Sequence, residues 1–340
     1  MKAGILGAGW IGRRHAENLA SRADVTVTAV CDLDADRAAQ LAAAVGGARV
    51  FGSWREMLDQ AELDALWICT PPLAHADPAV AALERGLPLY LEKPIARSQP
   101  EAARIVAAAA RGTVCAVGYQ WRAVDVLADL GAALAGQTIG CLVGQSVGGT
   151  QSRPWFLNQA EGGGNLLERG SHHIDLARAV AGEVVAVQAA QSAVRLAPRE
   201  SATAGDIADA VTMLLHFGDG GLGTIVVAWT SGELPGRYWL EVTAPDAALR
   251  LELDPEFRLS GVSRGSAVGA SSSHAPFERS VDCFIAAARQ GAPARVLCTP
   301  ADAARTLAVA VAAEEALRTG QTTSVPVQPG PDSASATMPQ

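Results

Sequence analysis

The feature that most constrains this chain is a glycine loop close to its start, Gly7-Ala8-Gly9-Trp10-Ile11-Gly12. Ala3 to Leu6, just before it, is a short apolar run of the kind a buried parallel strand presents. Arg13 to Arg22, just after it, has helical composition and no proline. Strand, glycine loop and helix in that order open a dinucleotide-binding βαβ unit. Gly7 permits the tight turn, Gly9 lets the backbone approach a pyrophosphate, and Gly12 lets the helix pack on the strand. Trp10 and Ile11 lie where the helix begins, so the backbone there offers N–H donors and partial positive charge to phosphate. Val25 to Cys31 reads as the second strand. Asp32 ends it, 32 − 12 = 20 residues past the last glycine. An acid at that distance is expected on the adenosine ribose hydroxyls. Its charge repels a 2′-phosphate, so the expected cofactor is NAD rather than NADP. Arg37, about one helical turn on, softens that preference.

The next segments keep the same alternation. Strands fit at 2–6, 25–31, 65–69, 88–91 and 113–118, and helices at 11–21, 34–44, 54–60, 76–85 and 98–110. That pattern argues for a doubly wound parallel α/β sheet over residues 1–120. After residue 120 the rhythm changes. Longer strand-like runs fit at 139–148, 184–195, 208–217, 221–230, 237–244 and 247–253, with a hairpin signal at Gly218-Asp219-Gly220-Gly221. Helices at 122–135 and 171–181 are expected to cover one face of an antiparallel or mixed sheet. This second domain is expected over 121–327, with helices at 277–289 and 300–319, the last either belonging to it or packing back on the first domain. Segment 262–275, rich in Gly and Ser, reads as a mobile loop, and 328–340 as a disordered tail.

With 340 residues, 49% of them hydrophobic and 18% charged, the chain has material for two buried cores. The net charge of −8 and the lack of a basic patch interleaved with aromatics argue against a nucleic-acid partner. The N-terminus enters a strand at once and does not read as a signal peptide. No run reaches the roughly 20 apolar residues that cross a bilayer. The six cysteines show no metal-ligand spacing; Cys31, Cys69 and Cys115 fall in apolar strand-like runs, and buried free thiols in a reducing cytoplasm are expected.

Chemistry-bearing residues follow the expected strand ends, where ligands sit in doubly wound sheets. Thr70, Pro71 and Pro72 break the strand that ends at Cys69 and are placed to touch cofactor. His75 follows, and reads equally as a cofactor contact or as a helix-capping, solvent-facing residue. Glu92-Lys93-Pro94 ends the next strand. A lysine there can stabilise negative charge on a carbinol oxygen or polarise a carbonyl, and Pro94 fixes the turn that holds it, in cis form if need be. Gly162-Gly163-Gly164 reads as a flexible approach to a helix carrying Glu168, His172, His173 and Asp175. Four residues apart, Glu168 and His172 share a helical face. The ordinary pKa of histidine suits His172 to proton exchange near neutrality. Adjacent histidines diverge on a helix and no third matched ligand is evident, so His173 and Asp175 read as structural and no metal is expected. Gln120 and Trp121 follow the strand ending near Gly118. Gln120 reads as a nicotinamide or substrate contact and Trp121 as a pocket wall or packing residue. Arg153 and Trp155 read as substrate-mouth residues or plain loop anchors.

Taken in order, the glycine loop, Cys69-Thr70-Pro71-Pro72 with His75, Glu92-Lys93-Pro94, Gly118-Tyr119-Gln120-Trp121-Arg122, Gly162 to Asp175 and the Pro300-to-Gly320 helix resemble the Gfo/Idh/MocA oxidoreductases over about residues 1–327. The resemblance implies an N-terminal Rossmann domain and a C-terminal α/β domain with an open, mostly antiparallel sheet, the substrate site between them. It implies dimers or tetramers packed through that sheet, and sugar, polyol or related substrates. It makes Lys93 the active-site lysine and His172 the acid/base histidine. Glu168 stands where the family often has Asp, a departure in a substrate-orienting position. The expectation is an NAD-dependent dehydrogenase of a hydroxyl or ketone group. Its rivals are an enzyme with retained NAD that eliminates or isomerises through transient oxidation, and a non-catalytic dinucleotide sensor.

Overall fold

The computed structural model describes residues 1–149, 154–194, 207–230 and 234–326. The chain divides into two compact units, Met1–Tyr119 with Glu278–Ala304, and Gln120–Phe277 with Arg305 onward.

The first unit holds a six-stranded parallel sheet in the order β3-β2-β1-β4-β5-β6. Its strands are β1 (Lys2–Leu6), β2 (Thr26–Cys31), β3 (Arg49–Phe51), β4 (Ala65–Ile68), β5 (Leu89–Leu91) and β6 (Cys115–Val117). Between them run α1 (Trp10–Ala20), α2 (Ala35–Ala44), α3 (Trp54–Gln60), α4 (Ala76–Glu84) and α5 (Gln99–Ala109). β4 is buried along its whole length, as a central parallel strand covered on both faces must be. Helix starts follow capping chemistry. Asp34 caps α2, Ser53 caps α3, and Ser98 with Glu101 forms a reciprocal capping box on α5. β3 was not expected. It has three residues, two of them exposed, and a run that short carries no period for a sequence to show.

The second unit holds a nine-stranded sheet in the order β14-β13-β12-β11-β7-β10-β9-β8-β15. After α6 (Leu127–Leu134) come β7 (Cys141–Gly149), the short α7 (Gln159–Gly162) and α8 (Ser171–Ala181). β8 (Val184–Gln191), β9 (Ala210–Phe217), β10 (Leu222–Thr230), β11 (Arg237–Ala244) and β12 (Ala247–Asp254) follow. β7 and β10 pair in parallel at the centre, and the remaining pairs are antiparallel. In β7, residues 142, 144, 146 and 148 are buried while their alternates are not, so one face is covered and the other open.

Two expectations fail here. Residues 262–275 are not a mobile loop: β13 (Phe257–Ser263) and β14 (Ser266–Ser271) form a hairpin whose turn holds Arg264 and Gly265 at positive φ. The small side chains that suggested disorder suit a half-exposed edge hairpin. The single helix expected at 122–135 is a 3₁₀ turn, Gln120–Ala123, followed by α6.

α9 (Pro276–Gln290) and α10 (Pro300–Thr319) pass from one unit to the other, and β15 (Thr323–Ser324) closes the described chain. α9 gives Val281, Phe284, Ile285 and Ala287 to the core containing Trp67 and Tyr90 in the first unit. Phe284 meets Trp67 edge-on at 5.1 Å. Part of the first unit's core therefore arrives from far along the chain. The tail expected to be disordered lies outside the described residues.

Candidate active site

The glycine loop begins from the turn after β1. Gly7 has φ of 98°, and a Cβ there would lie 2.7 Å from the Cys69 carbonyl carbon. At Gly12 a Cβ would meet the Gly7 carbonyl oxygen at 1.8 Å, so α1 sits against the loop with no room for a methyl group. Gly9 differs: a Cβ there meets nothing within 4 Å. Gly9 is also the N-cap of α1 and has no side chain to cap it. The space beside a helix N-terminus is thus left open, and the Trp10 side chain is exposed. Asp32 accepts from Ala8 N at 2.7 Å and from Asp34 N at 2.9 Å, so it braces the loop. Arg37 pairs with Asp34 at 3.2 Å. At the end of β4, Thr70 Oγ1 is closed to solvent without a hydrogen-bond partner, and Thr70 and Pro71 are half-exposed while Pro72 is buried. An open cradle at a helix N-terminus, an acid at the second strand and an unsatisfied hydroxyl fit a pyridine dinucleotide.

His75 is not solvent-facing and makes no side-chain cap. It is fully buried, with Nδ1 3.0 Å from Pro94 O and Nε2 2.8 Å from Thr70 O. Burial pulls it below the ordinary histidine value, against its backbone hydrogen bonds and Glu92. An imidazole with no exposed surface and both nitrogens at carbonyls offers no face to a cofactor. It ties the strand-end turn at Thr70 to the turn at Pro94.

Glu92 is likewise buried. Its Oε1 lies 2.7 Å from Nε2 of the fully buried His15 on α1, and its Oε2 accepts from Lys93 N at 3.2 Å. Burial pushes the Glu92 carboxyl up, but His15 and Lys93 outweigh it and hold the group below its ordinary value. The Lys93–Pro94 peptide is cis, and Lys93 itself is half-exposed. His15 escaped the sequence reading. The signal was present, since it falls on the buried stripe Gly12, His15, Ala16, Leu19, where an uncharged residue belongs unless it has a partner.

In the second unit the three glycines are not a flexible approach. Gly163 and Gly164 have φ of 71° and 63°, and a Cβ at Gly162 would strike Trp155 O at 2.5 Å. They turn the chain into a π-helical turn, Leu166–Gly170, that runs straight into α8. Glu168 lies on that wider turn, so the four-residue spacing to His172 does not map onto one ideal α-helical face. Both side chains are half-exposed. His173 is fully buried beside Trp239 O at 3.2 Å, and burial lowers it to about 4. Asp175 takes both Nε and Nη2 of Arg122, at 2.7 and 2.8 Å, and the Thr306 hydroxyl at 3.0 Å.

Trp121 is buried with its ring centroid 4.9 Å from His172 and 4.8 Å from His173. It is thus both packing and the wall beside His172. Trp155 packs on Phe156 at 4.1 Å, against the small cluster with Leu157, Ile207 and Trp229. Gln120 begins the 3₁₀ turn and is half-exposed. Arg153 lies outside the described residues. Among the described residues no three His, Cys, Asp or Glu side chains gather as a metal-holding group, and no helix is long and apolar enough to cross a membrane.

One chain that holds a Rossmann sheet with an open dinucleotide cradle, a braced lysine and a walled histidine defines a pyridine-nucleotide oxidoreductase. Residues 1–119 match the family described as "Oxidoreductase family, NAD-binding Rossmann fold", and residues 137–250 match the "GFO/IDH/MocA C-terminal domain". The chain is 30% identical over 328 residues to the rhizopine catabolism protein MocA of Rhizobium meliloti, covering 92% of this chain and 94% of that one. It is 27% identical over 227 residues to the myo-inositol 2-dehydrogenase of Thermotoga maritima, covering 66% and 67% of the two chains. Levoglucosan dehydrogenase in complex with NADH and L-sorbose shares the fold, with a TM-score of 0.82 at 19% identity, covering 96% and 99%. The chain belongs to the Gfo/Idh/MocA oxidoreductase family, and its cofactor is NAD.

Proposed function

We propose that this enzyme is a dehydrogenase that oxidises a secondary hydroxyl of a sugar-like or polyol substrate, or reduces the matching ketone. The observation that carries the reading is one chain holding an NAD cradle together with two half-exposed, proton-capable groups, each fixed by buried neighbours. Lys93 is held by the Glu92–His15 pair, and His172 stands against Trp121. Bound NAD supplies the hydride acceptor. The backbone at Gly7, Gly9, Trp10, Ile11 and Gly12 holds its pyrophosphate, and Asp32 takes the ribose hydroxyls. Thr70 and Pro71 contact it at the end of β4, and Gln120 contacts nicotinamide or substrate. His172 accepts the hydroxyl proton, Lys93 stabilises the carbinol oxygen, and Glu168 orients the substrate.

The preference for NAD over NADP rests on the Asp32 charge. The open sheet face carries half-buried Val143, Leu214, Val226 and Trp239 beside the Arg250–Glu241–Glu252 ion cluster. An apolar face with a polar patch suits a homodimer or homotetramer. The free cysteines suit a reducing cytoplasm. The test is a panel of sugars, polyols and their keto forms with NAD and NADP, read as NADH or NADPH absorbance. Turnover with none of them would overturn the reading.

A further inference from the structure

The cluster around Trp121 contains two arginines in different electrostatic states. Arg122 is neutralised by the bidentate bond to Asp175. Arg169, half-buried on the π-helical turn just before His172, donates only to neutral oxygens: Nη1 to the Tyr238 hydroxyl at 3.0 Å and Nη2 to Gly149 O at 2.9 Å. Glu168 acts on it through space and does not hydrogen-bond it. A guanidinium has five N–H donors. The three that remain on Arg169 meet no acceptor among the described residues. A partly desolvated cation without a bonded anion favours binding one.

The surroundings are built to hold this pair. A Cβ at Gly148 would lie 2.1 Å from the Tyr238 hydroxyl and 2.5 Å from Arg169 Nη1, and a Cβ at Gly236 would lie 2.5 Å from the Tyr238 ring. The β11–β12 register slips between Tyr238 and Trp239, and a bulge of that kind re-aims a side chain. The Tyr238 ring stands 6.4 Å from Trp121, which also packs on His172 and His173. Having accepted from Arg169, the Tyr238 hydroxyl keeps its own proton to donate.

We infer that Arg169 and Tyr238 form an anion subsite near Trp121, the ring that packs on His172, and that the substrate is a polyhydroxy carboxylate of the uronate or aldonate class. This rests on the dehydrogenase reading above. The guanidinium edge and the tyrosine hydroxyl receive the carboxylate, which fixes the distance from that group to the carbon oxidised at His172. A neutral sugar leaves the cation unpaired.

The experiment uses the full chain with D-glucuronate against D-glucose and D-galacturonate against D-galactose. It measures kcat/KM with NAD and, separately, Kd for the protein–NADH complex by calorimetry. The acid member of at least one pair is expected to be favoured about tenfold or more in both. Arg169→Met should bring that ratio near one, and Tyr238→Phe should reduce it part of the way. Arg169→Lys, which keeps the charge and loses the planar fork, should also retain part of it, and it carries the test if the Met variant fails to fold. Neutral members bound as well as their acids in both pairs, a ratio unchanged by substitution at Arg169, or no binding of either acid overturns the inference. Arg169-dependent binding of the acid without NADH formation from any sugar, polyol or acid refutes the dehydrogenase reading and leaves the subsite standing.

Discussion

Three glycines share one loop, and two of them should fail in opposite ways when given a methyl group. At Gly12 the new Cβ would sit 1.8 Å from the Gly7 carbonyl oxygen, against an ordinary contact of 3.4 Å, so the parts must separate by 3.4 − 1.8 = 1.6 Å. Neither side yields easily, since Gly7 N is bonded to Cys31 O at 2.8 Å and the Gly7 turn is pressed against Cys69. Overpacking of this kind costs roughly 1–3 kcal/mol or more. At about 2 °C per kcal/mol for a chain of this size, Gly12→Ala should melt several degrees below the parent. At Gly9 the Cβ meets nothing. Replacing a glycine N-cap with alanine costs up to about 1 kcal/mol, and the stiffer unfolded chain returns about 0.4–1 kcal/mol. Gly9→Ala should therefore melt with the parent. Its methyl group nevertheless fills the space assigned to the pyrophosphate, so NADH affinity should fall by about 10²-fold, roughly 2.7 kcal/mol. The assay is paired: melting without ligand, and NADH titration by calorimetry. A Gly9→Ala protein that binds NADH as the parent does would refute the placement of the pyrophosphate.

Asp32→Asn keeps an acceptor for Ala8 N, gives up the bond from Asp34 N and removes the charge, so it should narrow the NAD-over-NADP preference with at most a small loss in Tm; an unchanged ratio of the two Kd values would mean the preference lies elsewhere. Lys93→Met and His172→Asn should each lower kcat on a true substrate by about 10² or more with NADH affinity nearly intact, and near-parent turnover in both would remove them from the chemistry. Buried His173 stays neutral in the fold, with its pKa lowered from 6.5 to about 4, while the unfolded chain takes up a proton below 6.5. The native state binds fewer protons in that window, so stability should be flat above it and fall by about 3 kcal/mol as the pH drops from about 6.5 toward 4. Denaturant melts across that range should show the slope, and His173→Gln should reduce it, leaving the part contributed by His75, which burial also lowers.

What the sequence made legible is what is local. The glycine loop, the capped helices α2, α3 and α5, and the alternating strands of the second unit are each specified by residues within a few positions of one another. What it hid depends on distance along the chain. Phe284 closes on Trp67 from more than half the chain away, so no window could assign α9 to the first core. The brace on Glu92 comes from His15, and Asp175 is satisfied by Arg122 and Thr306 from opposite directions. The β13–β14 hairpin misled for another reason. Its Gly and Ser content reports little burial, and little burial is equally the signature of an edge strand and of a loop.

Lysine usage carries a signal of its own. The chain has 27 lysines and arginines, and its only lysines are Lys2 and Lys93. Lys2 pairs at the surface with Glu62, where an arginine would serve as well. Lys93 stands half-exposed next to the Glu92–His15 brace, its backbone N–H donating to Glu92 Oε2. Arginine is permanently charged and presents a broad fork; lysine is a compact cation that can release a proton. A composition that meets nearly every other need for positive charge with arginine keeps lysine where its chemistry is needed. The same reasoning separates the roles proposed for two cations: a point charge at Lys93 for an oxygen that gains and loses charge, and a fixed fork at Arg169 for a group that stays charged throughout.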